Sequence, residues 1–213
     1  MHEEKINVLL VDDHAMVRNG VRMMLSAADN ICVVAEAENA QDAVRLVQLH
    51  EIDVALVDIS MPGKNGLELL KILKMQQPKL AVLMLSMYSE EVYAVRALKL
   101  GAAGYLTKNS PEATLIEAVR KAAAGGKYVS PSLVEQFADM LGGGRLASHE
   151  ALSDRELEVL KLIASGESLV KIGSLLHLSP STVTTYRARI LEKMGLKTNT
   201  DLARYASQNG LVM

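Results

Sequence analysis

Asp12, Asp13, Asp58, Ser86 and Lys108 each close or closely follow a short apolar run, which makes them the residues of this chain best placed to do chemistry. Three carboxylates brought together repel one another unless a hard cation joins them, and Mg2+ takes one or two carboxylates while leaving positions open. A phosphoryl group suits those positions. Lys108 supplies a compact positive charge and Ser86 a hydroxyl for phosphoryl oxygens, while Asp58 can serve as a carboxylate nucleophile and become an aspartyl phosphate. Each residue alone has an ordinary reading: Asp12 a helix cap, Asp58 a turn residue, Lys108 a solvated lysine, Tyr105 a core aromatic at a strand end. The set together points to phosphoryl chemistry.

Residues so far apart meet only if the chain carries them to one place. Residues 6–11, 32–37, 53–57, 80–85 and 103–106 are short, nearly continuous apolar runs that read as buried strands. Between and after them, residues 17–25, 40–48, 67–74, 92–100 and 113–124 carry apolar positions at helical spacing. This alternation predicts an α/β unit, a doubly wound, five-stranded parallel sheet with helices on both faces. In such a sheet the residues just past the carboxyl ends of the strands converge in one crevice.

Asp12-Asp13, Asp58 followed by Met61-Pro62-Gly63, Ser86, and Gly104-Tyr105-Leu106-Thr107-Lys108 together resemble the motif set of the receiver domain of two-component response regulators, over roughly residues 5–124. The resemblance implies a flavodoxin-like sheet with strand order 2-1-3-4-5. It implies Asp58 as acceptor of a phosphoryl group from a sensor histidine kinase, with Lys108 and Ser86 assisting. Asp12, Asp13 and Asp58 are then the Mg2+ ligands, and the Met61 backbone carbonyl completes the metal site. Ser86 and Tyr105 form the implied switch pair: the Ser86 hydroxyl moves inward, room opens for the Tyr105 ring, and the face of the fourth and fifth helices changes. Ser60 and Tyr88 stand where the family tunes dephosphorylation. Beyond its own phosphoryl transfer and autodephosphorylation, such a domain is not an enzyme.

With 213 residues the chain has room for two domains. Its 23 basic and 25 acidic residues leave a net charge of -2, too balanced to indicate nucleic acid or membrane from composition alone. Residues 151–213 nonetheless hold 8 basic against 6 acidic residues. Cys32 is the single cysteine, which excludes an intrachain disulfide, and its neighbours Ile31, Val33 and Val34 make it read as a core thiol. The eleven methionines read as core gap-fillers, and the histidines lack metal-ligand spacing, His14 being placed at the surface beside the acidic corner. No apolar segment approaches membrane-spanning length and residues 1–5 lack a signal-peptide pattern, so a bacterial cytoplasmic location without membrane contact is expected.

Gly125 and Gly126 close the last helix of the first domain, residues 131–141 read as a short helix, and Gly142, Gly143 and Gly144 form a hinge. The expected division is residues 1–124, a linker over 125–150, and residues 151–213. In the last part Ser153-Asp154-Arg155-Glu156 matches a capping box ahead of Leu157, Leu160, Ile163 and Ala164 at helical spacing. A second helix spans about 169–176, and a third opens with Ser179 as cap and Pro180 at its first position, which suggests helix-turn-helix. On that third helix Val183, Ile190 and Met194 define the buried stripe, leaving Thr185, Ala188 and Glu192 opposite, flanked by Thr184 and Arg189. Small polar residues with an alanine permit close approach to base edges, and the helix opening, with Ser179, Ser181 and Thr182, can meet phosphate. Arg187 falls near the buried stripe with its head free to reach a phosphate, and Lys171, Arg189 and Lys193 are further backbone candidates.

Leu152 through Leu160, Ile163-Ala164-Ser165-Gly166, Leu178 through Val183, Lys193-Met194-Gly195 and Ala203 through Ala206 resemble the LuxR/NarL-type DNA-binding domain, over roughly residues 150–211. Thr184 departs from the lysine that many relatives carry after the Thr-Val pair, which removes a guanine or phosphate contact. The joint resemblance is to NarL/FixJ-type response regulators. It implies a transcription regulator that forms a homodimer when phosphorylated, pairs protomers through the last helix, about residues 200–208, and binds double-stranded DNA at paired half-sites. Two other readings stand beside it: a flavodoxin-like domain that binds flavin or performs hydrolysis, and a DNA-binding protein whose first domain is a docking module indifferent to phosphate. A colourless protein disposes of flavin, and charge substitution at Asp58 separates the remaining two.

Overall fold

Val8, Leu9, Leu10 and Val11 are all but excluded from solvent, and four consecutive buried residues in an extended chain require cover on both faces of the sheet. The computed structural model describes residues 5–61, 65–87, 90–131, 133–135 and 148–212. Its strands β1 (Ile6–Val11), β2 (Ile31–Ala37), β3 (Val54–Asp58), β4 (Ala81–Ser86) and β5 (Gly104–Thr107) are all parallel and lie in the order β2-β1-β3-β4-β5. Between them run α1 (Ala15–Leu25), α2 (Ala40–Leu49), α3 (Gly66–Gln76) and α4 (Glu90–Lys99), and α5 (Glu112–Ala123) follows β5. Val8, Leu10, Leu56, Leu83, Leu85 and Leu106 form one core with Leu25 of α1 and Leu115, Ala118, Val119 and Ala122 of α5. The alternate strand residues Leu9, Ala55, Val57, Val82, Met84 and Tyr105 are equally buried on the other face.

The hydrophobic pattern ends β3 and β4 one residue early. Asp58 pairs with Leu85 and Ser86 with Thr107 inside the ladder, so the polar residues at the sheet edge are held by strand geometry rather than carried on a loop. Helices begin where short polar caps allow it: Asn39 accepts from the Asp42 amide for α2, and Asn65 from the Glu68 amide for α3.

The chain divides into two compact units, Met1–Val134 and Glu135–Met213. The segment after α5 stays with the first: the Tyr128 amide donates to the Ala103 carbonyl at 2.7 Å, and Leu133 is buried. The linker expected from residue 125 therefore begins as packed chain. Most of the expected helix over 131–141 and the hinge Gly142, Gly143 and Gly144 lie outside the described residues.

The second unit opens with a short 3-10 turn, Ser148–Ala151, whose buried His149 meets the Tyr205 hydroxyl at 2.9 Å through Nδ1. Helices α6 (Asp154–Ala164), α7 (Leu169–Leu176), α8 (Pro180–Met194) and α9 (Asn199–Gln208) follow. The capping box of Ser153 and Glu156 starts α6, and a second, of Thr198 and Asp201, starts α9. Leu157, Leu160, Ile172, Val183, Ile190, Leu202 and Leu211 fill the core. The turn between α7 and α8 is tight enough that a Cβ on Gly173 would stand 2.7 Å from the Leu178 carbonyl oxygen, and His177 takes the left-handed conformation at φ 53°.

Two expectations about the core fail. Cys32 is exposed: β2 is an edge strand, and Cys32 alternates with the buried Ile31, so it lies on the opposite face from that core residue. Met16, Met23, Met75 and Met87 are also exposed, against Met61, Met84 and Met194, which are buried; apolarity alone does not say which face of a helix a methionine occupies. Among the described residues no helix is long and apolar enough to cross a membrane.

Candidate phosphoacceptor pocket and recognition helix

Asp12 leaves β1 pinned by its own main chain, its amide donating to the Ala37 carbonyl of β2 at 3.1 Å. Its Oδ1 accepts the His14 amide at 2.8 Å, a local turn that aims the carboxylate at the sheet edge; the cap position of α1 is His14 itself. Asp58 closes β3 with only 1% of its surface exposed, and its Oδ1 accepts the Ser60 amide at 3.2 Å. Behind it, a Cβ on Gly66 would fall 2.1 Å from the Asp58 carbonyl oxygen. Only glycine lets α3 start so close to the acceptor strand.

Lys108 follows β5, and its amide donates to the Ser86 carbonyl at 2.8 Å, which fixes the turn relative to β4. Its Nζ lies 2.6 Å from Asp12 Oδ2 and 2.9 Å from Asp58 Oδ2. Burial pushes the Asp58 carboxyl above its usual value, more than the neighbouring ammonium lowers it. For Lys108 burial works against the charge, but the carboxylates of Asp12 and Asp58 outweigh it and hold the ammonium above its ordinary value.

Ligand atoms of Asp12, Asp13, His14 and Asp58 all lie within 4.8 Å of one another. Asp13 Oδ1 is buried, with His14 Nδ1 2.9 Å away. A cluster of hard carboxylate oxygens from three aspartates fits a divalent cation. Ser86 is fully buried on β4, and Tyr105 is buried on the neighbouring strand β5, paired in register with Met84. Met61 follows the Ser60 turn with its side chain buried, Ser60 is exposed at the rim, and Tyr88 lies outside the described residues.

Arg18 is the member of this corner that spacing did not disclose, and His14, expected at the surface beside it, is exposed yet reaches the acidic cluster. His14 has no second histidine at ligand spacing, and Arg18 occupies an inner position of α1 where an apolar residue is expected; the one available signal was an arginine inside an otherwise apolar stripe.

In the second unit Thr184, Thr185, Ala188 and Arg189 are exposed on α8. Ser179 caps the helix by accepting the Thr182 amide at 3.1 Å, and its hydroxyl lies 2.8 Å from that of Ser181 and 2.7 Å from that of Thr182. The Thr184 and Thr185 hydroxyls donate to the carbonyls of Pro180 and Ser181, at 2.9 and 3.1 Å, which leaves them acceptors toward solvent. The basic side chains differ in commitment. Arg187 Nε donates to Asn199 Oδ1 at 2.6 Å, Lys171 Nζ to Glu167 at 2.8 Å, and Lys193 Nζ to the buried Glu156 at 2.7 Å. Lys193 is thus a tie between α8 and α6, and the Arg187 head serves α9 rather than projecting freely. Arg189 makes no hydrogen bond or ion pair among the described residues and is the basic group of this face most open to a ligand.

A family model described as the response regulator receiver domain matches residues 8–120, and one described as bacterial regulatory proteins, luxR family, matches residues 150–206. The chain is 36% identical over 211 residues to the response regulator GacA of Pseudomonas aeruginosa, covering 97% of this chain and 98% of the relative. It is 35% identical over 208 residues to the response regulator UvrY of Escherichia coli, covering 97% and 95%. Among solved structures, the RcsB response regulator of Salmonella typhimurium aligns with a TM-score of 0.76 at 26% identity over 98% of this chain and 100% of its own. RcsB bound to promoter P1flhDC in the presence of phosphomimetic BeF3- aligns with a TM-score of 0.71 at 27% identity over 96% and 100%. The chain belongs to the NarL/FixJ family of two-component response regulators, with a receiver domain followed by a LuxR-type helix-turn-helix domain.

Proposed function

We propose that this chain is a phosphorylation-dependent, DNA-binding transcription regulator in which Asp58 is the phosphoacceptor. The observation that carries the reading is the position of Lys108 Nζ, shared between Asp12 and Asp58 at the buried end of the sheet. The domains are assigned as receiver over residues 1–124, linker over 125–150 and DNA-binding domain over 151–213.

Asp12, Asp13 and Asp58, with the Met61 carbonyl, would hold Mg2+, which when bound neutralises charge on an incoming phosphoryl group. Asp58 Oδ2 bonds phosphorus as the P–N bond of a sensor histidine kinase's phosphohistidine breaks. Lys108 exchanges its bond to Asp58 for one to a phosphoryl oxygen, and Ser86 supplies a hydroxyl to another. The Ser86 and Tyr105 pair then transmits the change to the α4 and α5 face, promoting a homodimer. Exposed Thr184, Thr185, Ala188 and Arg189 of α8 read the major groove, and the capped start of α8, with Ser179, Ser181 and Thr182, takes backbone phosphate. The RcsB structures bound to promoter DNA support this placement by analogy. Catalysis is confined to the receiver's own phosphoryl transfer and loss, and the cytoplasm is the compartment in which kinase and promoter both lie.

Intact mass after treatment with acetyl phosphate and Mg2+ tests the acceptor assignment. One added phosphoryl mass in the wild type and none in Asp58→Ala is the expected result; equal labelling of both refutes it.

A further inference from the structure

Arg18 lies on α1 between Val17 and Val21, only 9% of it is exposed, and its guanidinium joins three parts of the chain. Nη1 donates to the carbonyl oxygen of Asp12 at 2.7 Å, Nε to Glu36 Oε2 at 3.1 Å, and Nη2 to Glu38 Oε1 at 2.7 Å. Asp12 lies just beyond the paired residues of β1, so its carbonyl has no ladder partner, and the arginine supplies one. The Asp12 amide is held by the Ala37 carbonyl of β2 at 3.1 Å. The acidic turn is therefore gripped at both main-chain polar groups by the end of β2 and by α1.

We infer that Arg18 is a positioning residue for the acidic pocket: by clamping the main chain of Asp12 to Glu36 and Glu38, it fixes how the Asp12 and Asp13 carboxylates present themselves to a divalent cation. The inference rests on the reading of this pocket as a Mg2+-dependent phosphoacceptor site. Burying an arginine is unfavourable unless its donors are satisfied, and a residue needed only for packing here would be apolar, as Val17 and Val21 are. The rigid fork of a guanidinium reaches three acceptors at once; an ammonium on the same backbone cannot. Glu36 is also held by Arg22 at 3.3 Å, so the acceptor side of the clamp is itself braced.

Electrostatics and positioning predict opposite signs. Removing a positive charge beside a cation site strengthens cation binding, whereas loosening the groups that orient the ligands weakens it, typically by about 10–100-fold. The test uses the full chain as wild type, Arg18→Lys and Arg18→Gln. The Mg2+ dissociation constant is read from backbone amide resonances at fixed pH and ionic strength, with labelling by acetyl phosphate at saturating Mg2+ measured separately. Positioning predicts Mg2+ binding about tenfold weaker in Arg18→Gln and an intermediate loss in Arg18→Lys, with labelling at saturating Mg2+ nearly restored. Unchanged or tighter Mg2+ binding in folded Arg18→Gln overturns the inference. Should that variant not fold, Arg18→Lys carries the test, since it keeps the positive charge and loses the three-way fork: unchanged or tighter Mg2+ binding there overturns the inference equally. A wild type without Mg2+-dependent labelling would instead overturn the phosphoacceptor reading, and is thereby distinguishable.

Discussion

Lys108 Nζ lies 2.9 Å from Asp58 Oδ2, with 7% and 1% of the two side chains exposed. The pair makes opposite predictions for its two members. Because burial has raised the Asp58 carboxyl, its protonated form favours the fold, and ionisation costs stability as pH rises from the ordinary carboxylate range through the folded value. Asp58→Asn removes that cost and is expected to stabilise the receiver at neutral pH. Lys108→Gln leaves two buried carboxylates without their cation and is expected to destabilise by about 3 kcal/mol. Denaturant unfolding at pH 7 checks both signs.

In the second unit the pH dependence runs the other way. Burial opposes the Glu156 charge, but hydrogen bonds from Lys193 and from Ser153 outweigh it and hold the carboxyl below its ordinary value. Stability from such a group is fully present above the unfolded value, about 4.3, and is lost as pH falls through the folded one. Glu156→Gln should therefore cost about 2 kcal/mol at pH 7. The gap between variant and wild type should narrow below about pH 4, as unfolding curves at pH 7 and pH 3.5 would reveal.

Two glycines on different helices should respond to alanine with opposite signs. At Gly66 the added Cβ meets the Asp58 carbonyl oxygen at 2.1 Å, so α3 or the acceptor strand must move. Stability and acetyl phosphate labelling should both fall. At Gly20, inside α1, nothing lies within 4 Å of the added atom, and alanine should stabilise by about 0.5–1 kcal/mol. Melting curves and labelling rates of the two variants decide it.

Arg189 and Lys193 are both basic residues on α8, yet they should fail differently. Arg189→Ala removes a free charge and should weaken DNA binding while reducing the salt slope by about 1. Lys193→Ala breaks the tie to Glu156 and should lower the unfolding midpoint while leaving the salt slope close to that of the wild type. Binding measured across a salt series, beside unfolding curves, separates a phosphate contact from a structural bond.

The sheet was legible because buried parallel strands leave continuous apolar runs, and because Asp12, Asp58 and Lys108 stand where those runs stop. Strand ends slipped by one residue since Asp58 and Ser86 are polar yet belong to the ladder. Arg18 is not legible in the sequence because a pattern assigns arginine to solvent, and only the folded chain closes its fork on a main-chain carbonyl. The same limit hid the partners of Arg187 and Lys193: helical spacing gives the side of the helix, not the acceptor on the neighbouring one. Cys32 was misplaced because its apolar neighbours do not reveal that β2 lies at the sheet edge.

If chemistry at Asp58 governs DNA binding, phosphorylation must change affinity. The deciding experiment measures, at one fixed salt concentration, the affinity of wild type and Asp58→Ala for a duplex selected from a random pool, each with and without acetyl phosphate plus Mg2+. Fixing the salt matters because phosphate contacts make affinity steeply dependent on ionic strength. Tighter binding in phosphorylated wild type alone is the expected result. Equal affinity in all four samples, with wild-type labelling confirmed by mass, would contradict it.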